Sequence, residues 1–266
     1  MDKILDQDGF GADDELIIVG RDDNGLIKGQ SQVRFIDTGH PVTAPVARNI
    51  GIDAAKGELL IFIDSDCIPQ SGWLREHRRA HAAGHMVVGG GVLPTGDNYW
   101  HLVYNLTMFH EIFSTAPAGE RPFLPTLNLS VERCVIGEVG KLDATLKRSQ
   151  DLDWTTRMKE AGYTPYFWPE ASVRHEHNRR TGKQVWQDAA TIGQYARQVR
   201  LRHHESLDTP SLLRDRRLTL LLSPLIALYV TSRIILRRPK TMLRRPDTWL
   251  GIYMSKIAWC WGASRK

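Results

Sequence analysis

Short apolar runs alternate with amphipathic stretches over the first two-thirds of the chain, the signature of an α/β fold. Glu15 to Val19 (ELIIV) is a β-rich run that stops at Gly20. The polar Arg-Asp-Asp-Asn-Gly that follows has turn chemistry, so a strand delivers Asp22 and Asp23 to a loop. A second strand is predicted over 33–36, and a helix over 44–56 closed by Gly57. Glu58 to Ile63 (ELLIFI) is apolar nearly throughout, as a strand covered on both faces should be, and it runs directly into Asp64-Ser65-Asp66. Strand, helix and strand in that order predict a parallel crossover, and open α/β sheets bind ligands beyond the carboxyl ends of their strands. Both acidic loops are therefore expected at one edge.

Further along, the pattern predicts a helix over 73–83 and a strand over 86–92 that ends in a glycine cluster. Residues 94–125 are aromatic and irregular and give no clear element. A polar turn around Ser149 leads into a helix with Leu152, Trp154 and Met158 inward, stopped at Gly162. Residues 163–173 form a Pro-punctuated extended segment leading to His175-Glu176-His177, and a last helix reaches about residue 204.

Composition narrows the class. The 266 residues can bury a large core, and 42% hydrophobic with 24% charged residues is ordinary globular usage. The net charge of +5 is placed unevenly: Arg214, Arg216, Arg217, Arg237, Arg238, Lys240, Arg244 and Arg245 flank the apolar Leu218–Leu236. That pairing suits an anionic membrane surface and gives no reason to expect nucleic acid. Leu218–Leu236 has 19 residues, close to a membrane span, but holds Pro224 and Arg233 between basic flanks, so a shallow anchor is as well supported as a spanning helix. The Trp-rich stretch 249–261 has the aromatic and Lys mix of an interface. Cys67, Cys134 and Cys260 are too scattered for a disulfide framework or zinc site, which points to a reducing environment at the cytoplasmic face of the cell membrane.

An Asp-x-Asp pair at a strand's end can place two carboxylates near one hard cation, as magnesium or manganese bound to phosphate oxygens requires. At this point a resemblance enters. Residues 47–74 (ARNIGIDAAKGELLIFIDSDCIPQSGWL) resemble the heart of a family 2 glycosyltransferase of the GT-A fold. The stretch from Asn128 to His177 (NLSVERC to VRHEH) resembles that family's acceptor half. The resemblance implies a Rossmann-like, mostly parallel sheet flanked by helices, with the C-terminal helices membrane-associated. It divides the chain into a nucleotide-sugar-binding half (1–93), an acceptor-binding half of the same domain (94–205) and a basic, apolar tail (206–266).

Carried over residue by residue, the resemblance implies that Asp64 and Asp66 form the metal and diphosphate site for Mg2+ or Mn2+, with Asp66 the direct ligand and His175 a further one. Arg48 lies near the nucleotide, and Asp22 or Asp23 stands in for the acid that meets the base or ribose. Asp151 is the catalytic base; the acid usually paired with it is Gln150 here. Asp153 is expected to point elsewhere, as a structural or exposed group. Trp154 and Trp168 either stack on a sugar or lie in the core. The apolar strand with which such chains usually open is missing, since MDKILDQDGF resembles the helix after it.

The implied activity is inverting, metal-dependent transfer of a sugar from a nucleoside-diphosphate sugar, UDP favoured, to a cell-envelope glycan or lipid-linked acceptor. The alternative is a catalytically impaired relative that binds nucleotide or a partner. A nucleotidyltransferase, which can share a similar nucleotide-binding sheet, is a third option, disfavoured by the acceptor-half stretch.

Overall fold

A computed structural model describes residues 1–27 and 32–265. After one helical turn, α1 (Asp2–Leu5), the chain runs through β1 (Leu16–Gly20), β2 (Val33–Asp37), α2 (Ala44–Ala54), β3 (Leu59–Ile63), β4 (Cys67–Pro69), α3 (Trp73–Ala82) and β5 (Val87–Val92). The segment that gave no pattern contains α4 (Tyr99–Met108) and β6 (Gly119–Glu120). Then follow β7 (Asn128–Glu132), α5 (Arg133–Val139), α6 (Gln150–Glu160), β8 (Tyr166–His175) and α7 (Gly182–Arg202). The tail forms α8 (Arg216–Leu221), α9 (Ser223–Arg237), α10 (Pro239–Met242) and α11 (Trp249–Ala263).

The expected mostly parallel sheet is corrected to a mixed one. The main sheet runs β3-β7-β5-β8-β4 with β6 on β8, and only β5 and β8 are parallel within it. β1 and β2 pair in parallel in a separate two-stranded sheet, so β2, α2 and β3 do not make a crossover within one sheet. The reason is physical: a continuous apolar run reports burial on both faces, not strand direction. β5 is buried at all six positions although β7 lies antiparallel beside it. Among the described residues β1 is the first strand, and each of its residues is only half-buried. The helix over 44–56 stops at Ala54; Lys56 and Gly57 instead donate their N–H groups to Glu15 at 2.5 and 3.3 Å.

Asn128 locks the centre. Its Oδ1 accepts from Trp73 Nε1 at 2.8 Å and faces His77 Nε2 at 3.0 Å, while its Nδ2 donates to the carbonyls of Ala171 and Gly91. Gly90 makes this possible, because a Cβ there would lie 1.9 Å from the Ala171 oxygen and 2.2 Å from Asn128 Nδ2. Burial drives the His77 imidazole down to about 4, so it is a neutral core group.

α11 packs against both α7 and α9. Glycine permits the close approach to α7: a Cβ on Gly262 would lie 1.8 Å from the Ala190 oxygen, and one on Gly193 would lie 2.0 Å from the Trp259 oxygen. The apolar stretch from Leu218 is broken at Leu222, ahead of Pro224, into α8 and α9. Among the described residues, no helix is long and apolar enough to cross a membrane.

Candidate active site

β3 is held on β7 along its full length, and Asp64, just past its end, donates its N–H to the Leu127 carbonyl at 3.1 Å. The chain turns at once, Cys67 N–H donating to the Asp64 carbonyl at 2.9 Å, and enters β4. β4 lies antiparallel on β8 with Cys67 opposite His175. That register brings two distant segments together: Glu176 N–H donates to the Asp66 carbonyl at 2.7 Å, and His175 Nε2 sits 3.4 Å from Asp66 Oδ1. Burial raises the Asp66 carboxyl, but the His175 bond and charge and the Arg179 charge outweigh it and hold it below the usual range.

Asp66, Cys67 and His175 place potential ligand atoms within 4.8 Å of one another. The donor set sorts itself chemically. Burial, with Asp64 and Asp66 adding, pushes the Cys67 thiol far up, and a soft sulfur is a poor match for the hard magnesium or manganese ion, which prefers oxygen ligands. Asp66 and His175 fit a divalent cation, and His175 Nδ1 is buried with no hydrogen-bond partner among the described residues.

Asp64 turns the other way, into an ion pair with Arg48 of α2. Asp151 lies in the first turn of α6, with Leu152 N–H donating to its Oδ1 at 2.9 Å. Burial raises the Asp151 carboxyl; Arg48 pulls it back and Asp64 adds to the rise. Asp64, Arg48 and Asp151 therefore form one electrostatic group. Asn49, next to Arg48, fixes α2 to the approach to α6 by exchanging two bonds with Leu142 at 2.9 and 3.1 Å. Gln150 is buried, and its Oε1 has no partner among the described residues.

Asp22 and Asp23 are engaged locally instead. Asp22 accepts from the Leu26 and Ile27 N–H groups, both at 2.9 Å, which hold its carboxyl low; Asp23 pairs with Arg21. Asp153 is buried and pairs with Arg157, Arg202 and His203, a structural hub. Trp154 is core, donating to the Gly140 carbonyl at 2.8 Å, and Trp168 donates to Glu76 at 3.3 Å.

Several residues that sequence reasoning passed over complete the site. Arg179 lies with its guanidinium 4.8 Å from the Tyr104 ring centre and 3.4 Å from Asp188 of α7. Tyr104 donates its hydroxyl to Asp188 at 2.7 Å, and Arg148 donates to the other oxygen at 2.6 Å. His101 faces the His175 carbonyl at 3.0 Å, and His177 is enclosed by the rings of His101, Tyr104 and His175. Burial first, then the neighbouring His101, His175 and Arg179, drives His177 down to about 3, so it is neutral. The one signal in the sequence was the Arg179-Arg180 pair, one residue beyond His175-Glu176-His177; α4 gave none.

Residues 2–134 match the family model described as Glycosyl transferase family 2. Among curated proteins, the chain is 33% identical over 122 residues to "Glycosyltransferase AglE" of Haloferax volcanii, which covers 46% of this chain and 40% of that protein. It is 29% identical over 155 residues to "Pre-mycofactocin glycosyltransferase" of Mycobacterium tuberculosis, covering 55% of this chain and 32% of that one. The chain thus spans well under half the length of either relative. Among solved structures, it resembles a mannosyltransferase from Pyrobaculum calidifontis in complex with GDP-Man and Mn2+, with a TM-score of 0.59, 14% identity, and 97% and 80% of the two chains covered. It also resembles GalNAc-T7 with UDP, GalNAc and Mn2+, with a TM-score of 0.50, 14% identity, and 74% and 45% covered. At such identity these likenesses speak for the GT-A-like fold.

Proposed function

Because this chain belongs to glycosyl transferase family 2, we propose that it moves a sugar from a nucleoside-diphosphate sugar, UDP favoured, to a cell-envelope glycan or lipid-linked acceptor at the cytoplasmic face of a membrane. The observation that carries this reading is the convergence, just past the end of β3, of Asp66 with His175 and of Asp64 with Arg48 and Asp151. Asp66 and His175 would hold Mg2+ or Mn2+, whose charge neutralises the donor's diphosphate oxygens. Arg48 and Arg179 add fixed positive charge beside the acidic pair. Asp151 accepts the acceptor hydroxyl's proton; burial raises its carboxyl, which makes its carboxylate a stronger base for that step. Attack from the face opposite the leaving group inverts the anomeric centre.

The buried Gln150, in place of a second acid, supports the other reading, a chain that binds nucleotide with little turnover. One experiment separates them. Purified protein is titrated with a panel of nucleoside diphosphates and nucleotide sugars with Mn2+ or Mg2+, then with chelator, and donor hydrolysis is followed. The transfer reading requires nucleoside diphosphate release that Asp66→Ala abolishes. Metal-dependent binding without release favours the impaired reading, and release of pyrophosphate would mean a nucleotidyltransferase.

A further inference from the structure

α9 is built inside out. Its buried residues are Ser223, Ala227, Thr231 and Ile234, three of them small, with Val230 and Ile235 packed partly buried beside them. The residues it turns to solvent include Leu225, Leu228, Tyr229 and Leu236, exposed by 64, 56, 65 and 78%. Within α9, positions 225, 228, 229 and 236 share one helical face, and Leu221 at the end of α8 is 75% exposed just before it. Leu243 and Leu250 lie exposed in the segments that follow. The inward contact is equally unusual: α9 meets α11, whose buried positions include Gly251, Ser255, Ala258 and Gly262. In water, burial of apolar area drives folding, so leucines outside and small residues inside make sense only if something apolar covers the leucines.

Charge says what that cover is. From residue 206 onward the chain has twelve Lys and Arg against three Asp and no Glu, a formal +9 where the whole chain carries +5. Two of the three acids are occupied: Asp215 caps α8, and Asp247 pairs with Arg245. Arg214, Arg217, Arg233, Lys240 and Arg244 are exposed and have no ion-pair partner among the described residues, and the first two line a shallow depression with Arg197, Asp215 and Arg216. A second copy of this face would bring like charges together, whereas an anionic bilayer meets both the leucines and the arginines. α9 has 15 residues, about 22 Å of helix, short of the roughly 30 Å hydrocarbon layer.

We infer that α8 and α9 form an in-plane docking face for an anionic lipid bilayer, with Leu221, Leu225, Leu228 and Leu236 seated among the acyl chains and the unpaired arginines against the headgroups. This deepens the membrane location proposed above and does not depend on turnover. It fixes a monotopic attachment through the tail.

The test is co-sedimentation of the full chain with phosphatidylcholine vesicles, with and without phosphatidylglycerol, at low and high salt. Binding should be at least tenfold tighter to the anionic vesicles, since each unpaired cation near such a surface is worth about fivefold, and high salt should erase that difference. Leu225→Ser/Leu228→Ser/Leu236→Ser should lower binding at least tenfold, and Arg217→Glu/Arg244→Glu should reduce the anionic preference at least tenfold without lowering binding to phosphatidylcholine alone. Helical content by circular dichroism and nucleotide binding confirm that the variants fold. The inference is overturned if wild type ignores vesicles, if the serine variant binds like wild type, or if sedimentation finds a dimer that the serine substitutions dissolve. Vesicle binding without donor hydrolysis would sink the transfer reading and leave the docking face standing.

Discussion

Asp151 and Asp153 lie two residues apart on α6, and removing each charge should have opposite consequences. Positions i and i+2 on a helix point about 200° apart, which aims one carboxylate at the site and the other at the core. Asp153 accepts from Arg157 Nε at 2.9 Å and Arg202 Nη1 at 2.8 Å and faces His203 Nε2 at 3.1 Å. Burial raises its carboxyl, and these three partners more than reverse that. Asp153→Ala leaves them facing an empty buried corner, a class of change that costs about 3–5 kcal/mol. The Arg157 and Arg202 side chains are 26 and 49% exposed, so water recovers part of the loss. The lower end, about 3 kcal/mol, is expected, a large part of a typical folding stability of about 5–15 kcal/mol. Asp151 is the reverse case: the fold disfavours its ionised form, so Asp151→Asn should leave stability unchanged or raise it. Donor turnover should meanwhile fall about 10²–10⁴-fold. Urea unfolding followed by tryptophan fluorescence, with nucleoside diphosphate release measured on the same preparations, reads both effects. The reasoning fails if Asp153→Ala loses under about 1 kcal/mol, the range of an exposed pair, or if Asp151→Asn destabilises as much as Asp153→Ala.

Three further outcomes follow from the same structure. His77, ordinarily near 6.5 and driven to about 4 here, is neutral when folded, so its contribution is fully present above pH 6.5 and declines as pH falls toward 4, by about 3 kcal/mol in all. His77→Gln should flatten that part of the stability-versus-pH curve, and an unchanged slope would discount the group. Gly262→Ala should lower stability by about 3 kcal/mol by forcing α11 off α7, with earlier proteolysis after residue 205, whereas Gly137→Ala, with open space around it, should not loosen the tail. Chelator should abolish nucleotide binding in wild type, and His175→Ala should raise the metal concentration needed for binding tenfold or more; binding that ignores chelator would remove Asp66 and His175 from the metal role.

Elements whose signal is local were legible in the sequence. β3 was plain because an apolar run ending abruptly in Asp64-Ser65-Asp66 is a poor folding choice without a ligand. The break between α8 and α9 was signalled by Pro224. The sheet's direction was not legible, because burial on both faces gives β5 the same composition whichever way its neighbour runs. Nor was the Tyr104, Asp188 and Arg179 cluster, which joins residues 84 positions apart through packing of α4 and α7. Asp22 looked like a ligand residue, yet its carboxylate is satisfied by two backbone N–H groups of its own loop. Sequence spacing did separate Asp151 from Asp153 but left the second open between a structural and an exposed group, and the structure makes it a buried hub.

The place of β7 between β3 and β5 also has a kinetic meaning. During synthesis, β3 leaves the ribosome roughly 70 residues ahead of the strand it pairs with, and β5 waits roughly 40 residues for the same partner. Until then two of the most apolar segments of the chain have unsatisfied edges. The β3–β5 segment and the segment that begins with β7 therefore mature together, and the chain's exposure to aggregation and to chaperones is concentrated in the interval before residue 132 emerges.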